Sequence, residues 1–440
     1  GEVILSYATT DGVPSTMQRR AAGWINDLSR KQLESLLTTT VPHFQHVGAW
    51  ETQEIYRLSS QLLVPLPDDA RLGPRRRVTL CGSFGFGNAG DEGAWMATED
   101  LAHALGFEVA FDLVTRFPKP FMKRVIGTGP EEHARRQRLR DQKVVFVGGG
   151  VIDASQFCVL LANEPFLRET SARSFGLLGV NVETGKRYDP VVTAGLRALL
   201  SEANQVTVRD QLSAETLRAI APEVKSQVVG DVVLWLTPTK LGLPAEVAAL
   251  PRYVAVNAPR WKDDRAWRAW ITDELIKVSR ALDAPLVFVP CSTHFDDDRP
   301  AHSELASDIR RRDPGVTVVE VKQHLDPRQT AGLFAGAVLT VGMRLHACVM
   351  SYGNRVPCVG LAYHSKLHGF FRTVGAEAFL LPGGLPTAPH EVSSGFSFAD
   401  SGLGGSDLAS AAREAIARFP FDRLAALKDA SAEAFRRIVA

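Results

Sequence analysis

Apolar side chains recur at helical spacing in three short segments near the start of the chain. Trp24, Ile25 and Leu28 form one such stripe, and the two stripes after it consist of Leu33, Leu36 and Leu37 and of Ile55, Leu58 and Leu62. Residues 65–77 then combine prolines, which cannot continue a helix, with a run of arginines. We therefore predict a helical N-terminal extension with its linker over residues 1–76.

From residue 77 the pattern changes to short, β-branched apolar runs that alternate with amphipathic helices. The runs, which we predict to be strands, cover residues 78–82, 108–114, 143–147, 176–182, 205–209 and 227–229. After a stretch with several prolines the alternation restarts, with predicted strands at 253–257, 286–290, 316–321, 338–342 and 356–361. Such alternation favours parallel sheets with helices on both faces. The predicted fold class is α/β, with two Rossmann-like domains over residues 77–245 and 246–385.

The remainder of the chain is a Gly-, Pro- and Ser-rich segment followed by two helical patterns, at residues 408–418 and 423–439. Residues 386–440 are therefore predicted to form a loop and two C-terminal helices. We expect these helices to pack back across the junction between the domains.

Composition narrows the class of protein. The chain has 440 residues with 50 Lys and Arg against 49 Asp and Glu, so its net charge of +1 points to no nucleic-acid partner. Five scattered cysteines without a CxxC pair argue against a disulfide framework or a structural zinc site. No apolar stretch approaches the ~18 residues of a membrane span. We predict a cytoplasmic enzyme without a transmembrane segment or a metal.

The turn after the first α/β strand, GSFGFGNAGDEGAW, is rich in glycine and polar residues. Gly85, Gly87 and Gly90 formally spell the GxGxxG of dinucleotide-binding folds. The match is weak, because Asn88 and Asp91 crowd the place that a pyrophosphate would take. Glycines that only shape a tight turn are the alternative. Because ligands of open α/β sheets collect at such turns, we take Asn88 and Asp91 as candidate ligand contacts.

Two further turns leave alternatives open. The triple glycine of VVFVGGG, Gly148 to Gly150, suits either a nest of N–H groups for a ligand or a close packing contact. We include Gly149 and Gly150 as candidate ligand contacts. In VTVRDQLS, Arg209 ends a strand and either faces the cleft between the domains or forms an ion pair with Asp210.

The fourth turn, VGMRLHACVMSYG, is the most informative. Arg344, at a predicted helix start, has the planar charge suited to bidentate capture of phosphate or carboxylate. His346 beside a bound anion is a candidate proton carrier, and a buried core histidine is the alternative. Lys366 and Arg260 also follow strands and could approach the same cleft. The aspartates at 296–298 we interpret as a solvated loop, because consecutive residues rarely converge on one metal ion.

Together these motifs resemble the polysaccharide pyruvyl transferases. The resemblance covers about residues 78–380 and depends most on GSFGFGNAGDEGAW, VVFVGGG, VTVRDQLS and TVGMRLHACVMSYGNRVPCVGLAYHSKLHGFF. It implies a GT-B-like arrangement of the two domains, phosphoenolpyruvate as donor substrate, no other cofactor, and a cyclic pyruvate ketal formed on two hydroxyls of a saccharide. By motif it assigns Arg209, Arg344, Leu345 and His346 to the donor site. We expect the acceptor to contact the glycine turns of the first domain, at Asn88, Asp91, Gly149 and Gly150.

The expected chemistry distributes roles over these residues. Phosphoenolpyruvate needs cationic contacts, for which Arg209 and Arg344 come first and Lys366 and Arg260 second. His346 is the expected proton carrier, and Asp91 is a weaker candidate for orienting or deprotonating the acceptor hydroxyl. The expected acceptor is a saccharide, with a lipid-linked repeat at the inner face of the membrane as one form of it. Two alternatives are a nucleotide-sugar glycosyltransferase of similar architecture and a non-catalytic subunit of a polysaccharide assembly.

Overall fold

A computed structural model gives the structure of the protein. It describes residues 2–8, 44–50, 53–59, 76–84, 87–107, 109–114, 125–126, 139, 142–155, 158–169, 174–259, 265–293, 296–362, 364–382 and 407–440. The linker predicted at residues 65–77 lies almost entirely outside these ranges, as do the helices predicted around Trp24 and Leu36.

The described part of the N-terminal extension is a small antiparallel sheet. Its strands are β1 (Glu2–Ala8), β2 (Phe44–Trp50) and β3 (Gln53–Ser59), in the order β1-β3-β2. The helix predicted from Ile55 and Leu58 is therefore wrong, because both residues belong to β3. Periodicity alone cannot separate a short apolar run in a helix from one in a strand, and β3 gains hydrogen-bonded partners on both sides that a local pattern does not reveal.

The first large sheet has seven parallel strands in the order β10-β9-β8-β7-β4-β5-β6. The strands are β4 (Arg76–Cys81), β5 (Val109–Val114), β6 (Val125–Ile126), β7 (Lys143–Val147), β8 (Phe175–Val180), β9 (Gln205–Val208) and β10 (Gln227–Val228). The helices along this part of the chain are α1 (Ala89–Ala104), α2 (Val159–Ala162), α3 (Glu164–Glu169), α4 (Pro190–Glu202) and α5 (Gln211–Ile220). A 3₁₀ turn, Val232–Trp235, follows β10.

The second large sheet has six parallel strands in the order β13-β12-β11-β14-β15-β16. They are β11 (Val254–Asn257), β12 (Leu286–Phe288), β13 (Val318–Glu320), β14 (Leu339–Gly342), β15 (Cys358–Ala362) and β16 (Leu380–Pro382). The helices are α6 (Ala245–Ala248), which precedes β11, then α7 (Arg265–Leu282), α8 (Arg299–Arg312), α9 (Pro327–Ala335), α10 (Leu345–Gly353) and α11 (Ser365–Val374). Two further helices, α12 (Leu408–Arg418) and α13 (Arg423–Val439), complete the chain as described.

In both sheets the order in which strands are added reverses next to the first strand, which confirms the prediction of two Rossmann-like domains. The switch lies between β4 and β7 in the first sheet and between β11 and β14 in the second. Loops at the carboxyl ends of such neighbouring strands splay apart and leave a crevice for a ligand. The turns that the sequence singled out at Gly90, Gly149 and Arg344 all follow strands at these two switch points.

The central strands are buried and mostly apolar because helices cover both faces of each sheet. All six residues of β8 are buried, as are all residues of β11, β14 and β15. Continuous apolar runs of this kind are typical of parallel sheets and explain why the strands could be located from the sequence.

The two domains are held together by backbone and side-chain contacts next to the switch points. Asn88 forms an isolated antiparallel bridge with Ser292, and the backbone N–H of Ala89 donates to the carbonyl of Cys291 at 2.7 Å. Further along α1, the guanidinium of Arg328 forms two hydrogen bonds to the carboxylate of Asp100. The first turn of α1 is thereby fixed against the loop that follows β12.

The two C-terminal helices divide between the domains. Helix α12 packs on α7 and the second sheet, whereas α13 crosses over to pack on β8 of the first. Gly176 in β8 has no room for a side chain, since a Cβ there would lie 2.6 Å from Cγ1 of Ile438. Phe435 is fully buried and meets Phe107 edge to face at 5.8 Å between ring centroids. The expected packing across the domain junction is confirmed for α13, whereas α12 stays on the second domain.

We expect Phe435→Ala to destabilise the protein by about 3–5 kcal/mol, because it removes a fully buried ring and leaves a cavity under α13. Urea denaturation followed by circular dichroism measures the loss. Arg437→Ala, on the exposed face of the same helix, is the control and should change stability by less than about 0.5 kcal/mol. A similarly small effect of Phe435→Ala would contradict the docking of α13.

His302 of α8 is a buried histidine in the core of the second domain. Its Nε2 accepts a hydrogen bond from the backbone N–H of Ala258 at 3.2 Å, and its ring packs on Phe288. Burial lowers the pKa of His302 to about 4. The imidazole is therefore neutral in the folded protein at neutral pH.

This burial predicts a loss of stability in acid. Between pH 6.5 and 4 the unfolded chain binds a proton at His302 that the folded chain does not, so the free energy of unfolding falls by about 3 kcal/mol as the pH drops through that window. His302→Gln keeps a hydrogen-bond acceptor but does not titrate, so its stability should fall less steeply. Urea denaturation at several pH values tests this, and parallel pH profiles for the two proteins would contradict it.

Candidate active site

Helix α1 begins in a turn whose polar side chains bind their own backbone. The Oδ1 atom of Asn88 accepts hydrogen bonds from the N–H groups of Gly90 and Asp91, at 2.9 and 3.4 Å. The Glu92 carboxylate accepts from the N–H of Gly87, which has a φ of 66°. Asn88, predicted to contact the acceptor, is therefore the N-cap of α1, and its role toward an acceptor stays a prediction.

His346 reaches this turn from the other domain. It lies in the first turn of α10, and its ring packs directly on Gly90. A Cβ at position 90 would overlap the imidazole, so only glycine fits there. Its Nε2 lies 3.5 Å from Oδ2 of Asp231, and the side chain is 12% exposed. The third glycine of the formal GxGxxG is thus explained by close packing between domains.

Arg209 is buried at the end of β9 and is surrounded by acceptors. Its guanidinium donates to Oδ1 of Asn181 at 2.6 Å and to Asp210 at 3.2 Å, and it lies 3.5 Å from Asp231. Of the two alternatives left open by the sequence, the ion pair with Asp210 is observed, and a contact of Arg209 with the donor stays a prediction. Asp231 adds a second carboxylate to the same cation.

Asp231 is a site residue that sequence reasoning missed. One of its oxygens accepts from the N–H of Val233 and caps the 3₁₀ turn, and the other faces both Arg209 and His346. Burial raises the pKa of Asp231, but its hydrogen bond to His346 and the charges of His346 and Arg209 outweigh this, so the pKa is lowered overall. Its place just after a strand is the signal that could have found it.

Arg344 is bound to the protein's own carboxylates. Its Nε donates to both oxygens of Asp298, at 2.8 and 3.0 Å, and another nitrogen donates to the carbonyl and side chain of Asp296. Asp298 is fully buried and also accepts from the N–H of Cys291. The predicted solvated loop is therefore wrong for Asp298, because the nearby guanidinium compensates its buried charge. Capture of a donor by Arg344 stays a prediction.

Lys366 projects from the first turn of α11 and is half-buried. Among the described residues, no carboxylate lies within ion-pair distance of its ammonium group. Burial lowers the pKa of Lys366 and the charge of Arg209 lowers it further, whereas the charges of Asp91, Glu183 and Asp153 act in the opposite direction. Lys366 thus faces the same space as Arg209 and Asp91.

His364 caps α11 next to this lysine. Its Nδ1 accepts from the N–H of Lys366, and Ser365 bonds to Thr184 of the first domain at 2.7 Å. Burial lowers the pKa of His364 to about 4, and the charges of Lys366, Arg209 and Lys186 add to the effect. Several cationic groups therefore lie near the neutral imidazole of His364.

The triple glycine, Gly148 to Gly150, lies next to the Asp91 carboxylate. A Cβ at Gly149 would lie 2.8 Å from Oδ1 of Asp91, and Ser83 donates a hydrogen bond to the Gly149 carbonyl. Gly150 has a φ of 66°. The packing alternative is thus observed for Gly149, and ligand contacts by Gly149 and Gly150 remain predictions.

The structure brings together four predicted residues: His346, Arg209, Lys366 and Asp91. Leu345 is buried and packs in the core, and Arg260 lies outside the described residues. Within the described ranges, no three His, Cys, Asp or Glu side chains are placed to hold a metal ion. The arrangement provides an ammonium group, a half-buried carboxylate and an imidazole at one cleft, which suits binding of an anion next to proton transfer.

Several solved structures match the chain at low sequence identity. UDP-GlcNAc 2-epimerase from Methanocaldococcus jannaschii has 13% identity and a TM-score of 0.48, with 70% of this chain and 89% of that chain covered. Phytolacca americana UGT2 has 10% identity and a TM-score of 0.40 over 82% and 94%. The E. coli heptosyltransferase WaaC has 15% identity and a TM-score of 0.36 over 65% and 88%.

Curated protein sequences contain no significant match to the chain. In the part of the chain that the structure describes, every helix is too short or too polar to cross a bilayer.

The family model named polysaccharide pyruvyl transferase matches residues 88–365, well over half of the chain. The matched region begins at the cap of α1 and includes the glycine turn, Arg209, Asp231 and His346. This chain belongs to the polysaccharide pyruvyl transferase family.

Proposed function

We propose that the protein transfers the enolpyruvyl-derived group of phosphoenolpyruvate to two hydroxyls of a saccharide and forms a cyclic pyruvate ketal in polysaccharide biosynthesis. The family supports a pyruvyl transferase that acts in polysaccharide formation. The observation that carries the donor is the half-buried ammonium of Lys366, which has no counter-ion within ion-pair distance among the described residues and is close enough to Arg209 and Asp91 for their charges to act on it.

The donor carries a phosphate and a carboxylate and therefore needs cations in the cleft. The charge of Arg209 is already matched by two carboxylates and that of Arg344 by Asp298 and Asp296. We therefore place Lys366 first among the donor contacts, assisted by the N-terminus of α11. Arg209 and Arg344 come second, because both already form ion pairs within the protein.

His346 supplies the proton in this scheme. A proton is added to the methylene carbon of the donor, and an acceptor hydroxyl attacks the neighbouring carbon as its own proton leaves. Loss of phosphate then lets the second hydroxyl close the ketal and release its proton. Asp91 lies half-buried at the first-domain side of the cleft and is the candidate to accept a hydroxyl proton.

The acceptor side belongs to the first domain in this proposal. We propose that Asp91, Asn88 and the glycine turn at Gly149 and Gly150 contact the acceptor, which is supported by the position of Gly149 next to the Asp91 carboxylate. We propose a saccharide repeat as the acceptor, carried on a lipid at the inner face of the membrane and reached by an enzyme that works from the cytoplasm.

Phosphoenolpyruvate should raise the melting temperature, whereas a nucleotide sugar should not. Donor at ~100 times its Kd adds about 2.7 kcal/mol to the free energy of unfolding, which a thermal scan detects. Phosphate release with a panel of saccharides then identifies the acceptor. Stabilisation by UDP-glucose without any effect of phosphoenolpyruvate would instead support a glycosyltransferase.

Two substitutions should separate binding from proton transfer. Lys366→Met removes the cation, so calorimetry should show donor affinity at least ~10-fold weaker. His346→Gln cannot carry a proton at neutral pH, so kcat should fall about 10²- to 10⁴-fold with donor affinity largely unchanged.

Lys225→Met, an exposed lysine outside the cleft, is the matched control for the loss of charge and should behave as the unmodified protein. Normal turnover in a folded His346→Gln protein would show that the imidazole only fills the space above Gly90.

A further inference from the structure

We infer that Asp231 is a positioning residue that holds the His346 imidazole from the side opposite Gly90 and balances the ring's charge when it carries a proton. The contacts of His346 with Gly90 and Asp231 do not depend on a substrate. Its consequence for turnover rests on the proposed function, in which His346 transfers the proton.

The backbone around Asp231 leaves the carboxylate little freedom. Gly230 before it has a φ of 81°, and a Cβ on Gly179 would lie 2.5 Å from the Gly230 carbonyl oxygen. The Oδ1 atom of Asp231 is fixed by the N–H of Val233 at 3.0 Å. Oδ2 is therefore held at one place, at the boundary between the two domains.

That oxygen is shared by two cationic partners from different domains. Nε2 of His346 and a guanidinium nitrogen of Arg209 both lie 3.5 Å from Oδ2. The imidazole is thus in contact with Gly90 on one side and with Asp231 on another. Two contacts on different sides leave the ring one orientation, as positioning of a catalytic imidazole requires.

The charges of the cluster depend on the protonation of the ring. Arg209 contributes one positive charge and Asp210 and Asp231 contribute two negative charges, so the four groups carry −1 with a neutral imidazole and zero with a protonated one. An uncompensated charge is costly in a buried cluster. Asp91, next to Gly90, is a further charged group on the first-domain side.

Capping alone does not account for the second carboxylate oxygen. An asparagine at position 231 would retain an oxygen for the Val233 N–H but would lose the negative charge on the side of His346. Asp231→Asn therefore separates the structural cap from the electrostatic effect on the ring.

Asp210→Asn is a matched control. Asp210 is equally buried, pairs with the same Arg209 and caps α5 through the N–H of Ser213, but it has no described contact with His346. Both variants remove one carboxylate from the guanidinium, and only Asp231→Asn removes one from the imidazole.

The experiment follows the His346 ring by NMR across a pH titration and measures donor affinity by calorimetry and turnover with an accepted saccharide. In Asp231→Asn the ring should take up its proton at a lower pH than in the unmodified protein, because a neighbouring negative charge is lost, and kcat should fall about 10²-fold or more, as when the carboxylate that orients a catalytic histidine is lost. Donor affinity should stay equal or improve, because Arg209 loses a competing carboxylate. A purely structural defect would weaken both kcat and affinity. In Asp210→Asn the ring should titrate as in the unmodified protein.

An unchanged ring titration in Asp231→Asn, or an equal shift in both variants, would overturn the inference. If Asp231→Asn does not fold, the unmodified protein still tests it, because the carboxyl carbon of Asp231 should respond in the same NMR titration at the pH where the His346 ring gains its proton. A ring shift without any binding of phosphoenolpyruvate would refute the proposed function and leave the role of Asp231 intact.

Discussion

The contact between the His346 imidazole and the backbone of Gly90 sets the distance between the two domains. Any side chain at position 90 would push α1 away from α10 and open the gap that the ring fills. Because α1 and α10 both start at topological switch points, this one contact brings the two crevices of the sheets face to face. The backbone bridge between Asn88 and Ser292 holds the same spacing from one side.

Within the cleft, Arg209, Arg344 and Lys366 differ in whether carboxylates of the protein compensate their charge. A buried guanidinium is tolerated only with carboxylate partners, and Arg209 and Arg344 each have two. An arginine at a helix start can thus serve the fold as much as a ligand. Lys366 has no carboxylate within ion-pair distance among the described residues.

Most of the two sheets could be predicted from the sequence, since continuous apolar runs between turns mark strands that are buried on both faces. The turns at Gly149, Arg209 and His346 could be predicted for the same reason, as polar and glycine residues directly after those runs. The contact partners of the site residues could not be predicted. Nothing near Arg344 identifies Asp298 as its counter-ion, because that pairing depends on how α8 follows β12 in space. The strand β3 was missed because a short apolar run fits a helix as well as a strand, and because one of its two partners, β1, is distant in sequence.

Helix α13 covers the first sheet, although all seven strands of that sheet precede the second domain in the sequence. During synthesis the ribosome must therefore add the entire second domain before the apolar surface around Gly176 is covered. Until then, that surface is open to solvent and to other chains. The first domain cannot finish folding as an independent unit, so folding of the two domains is coupled through the order in which they are translated.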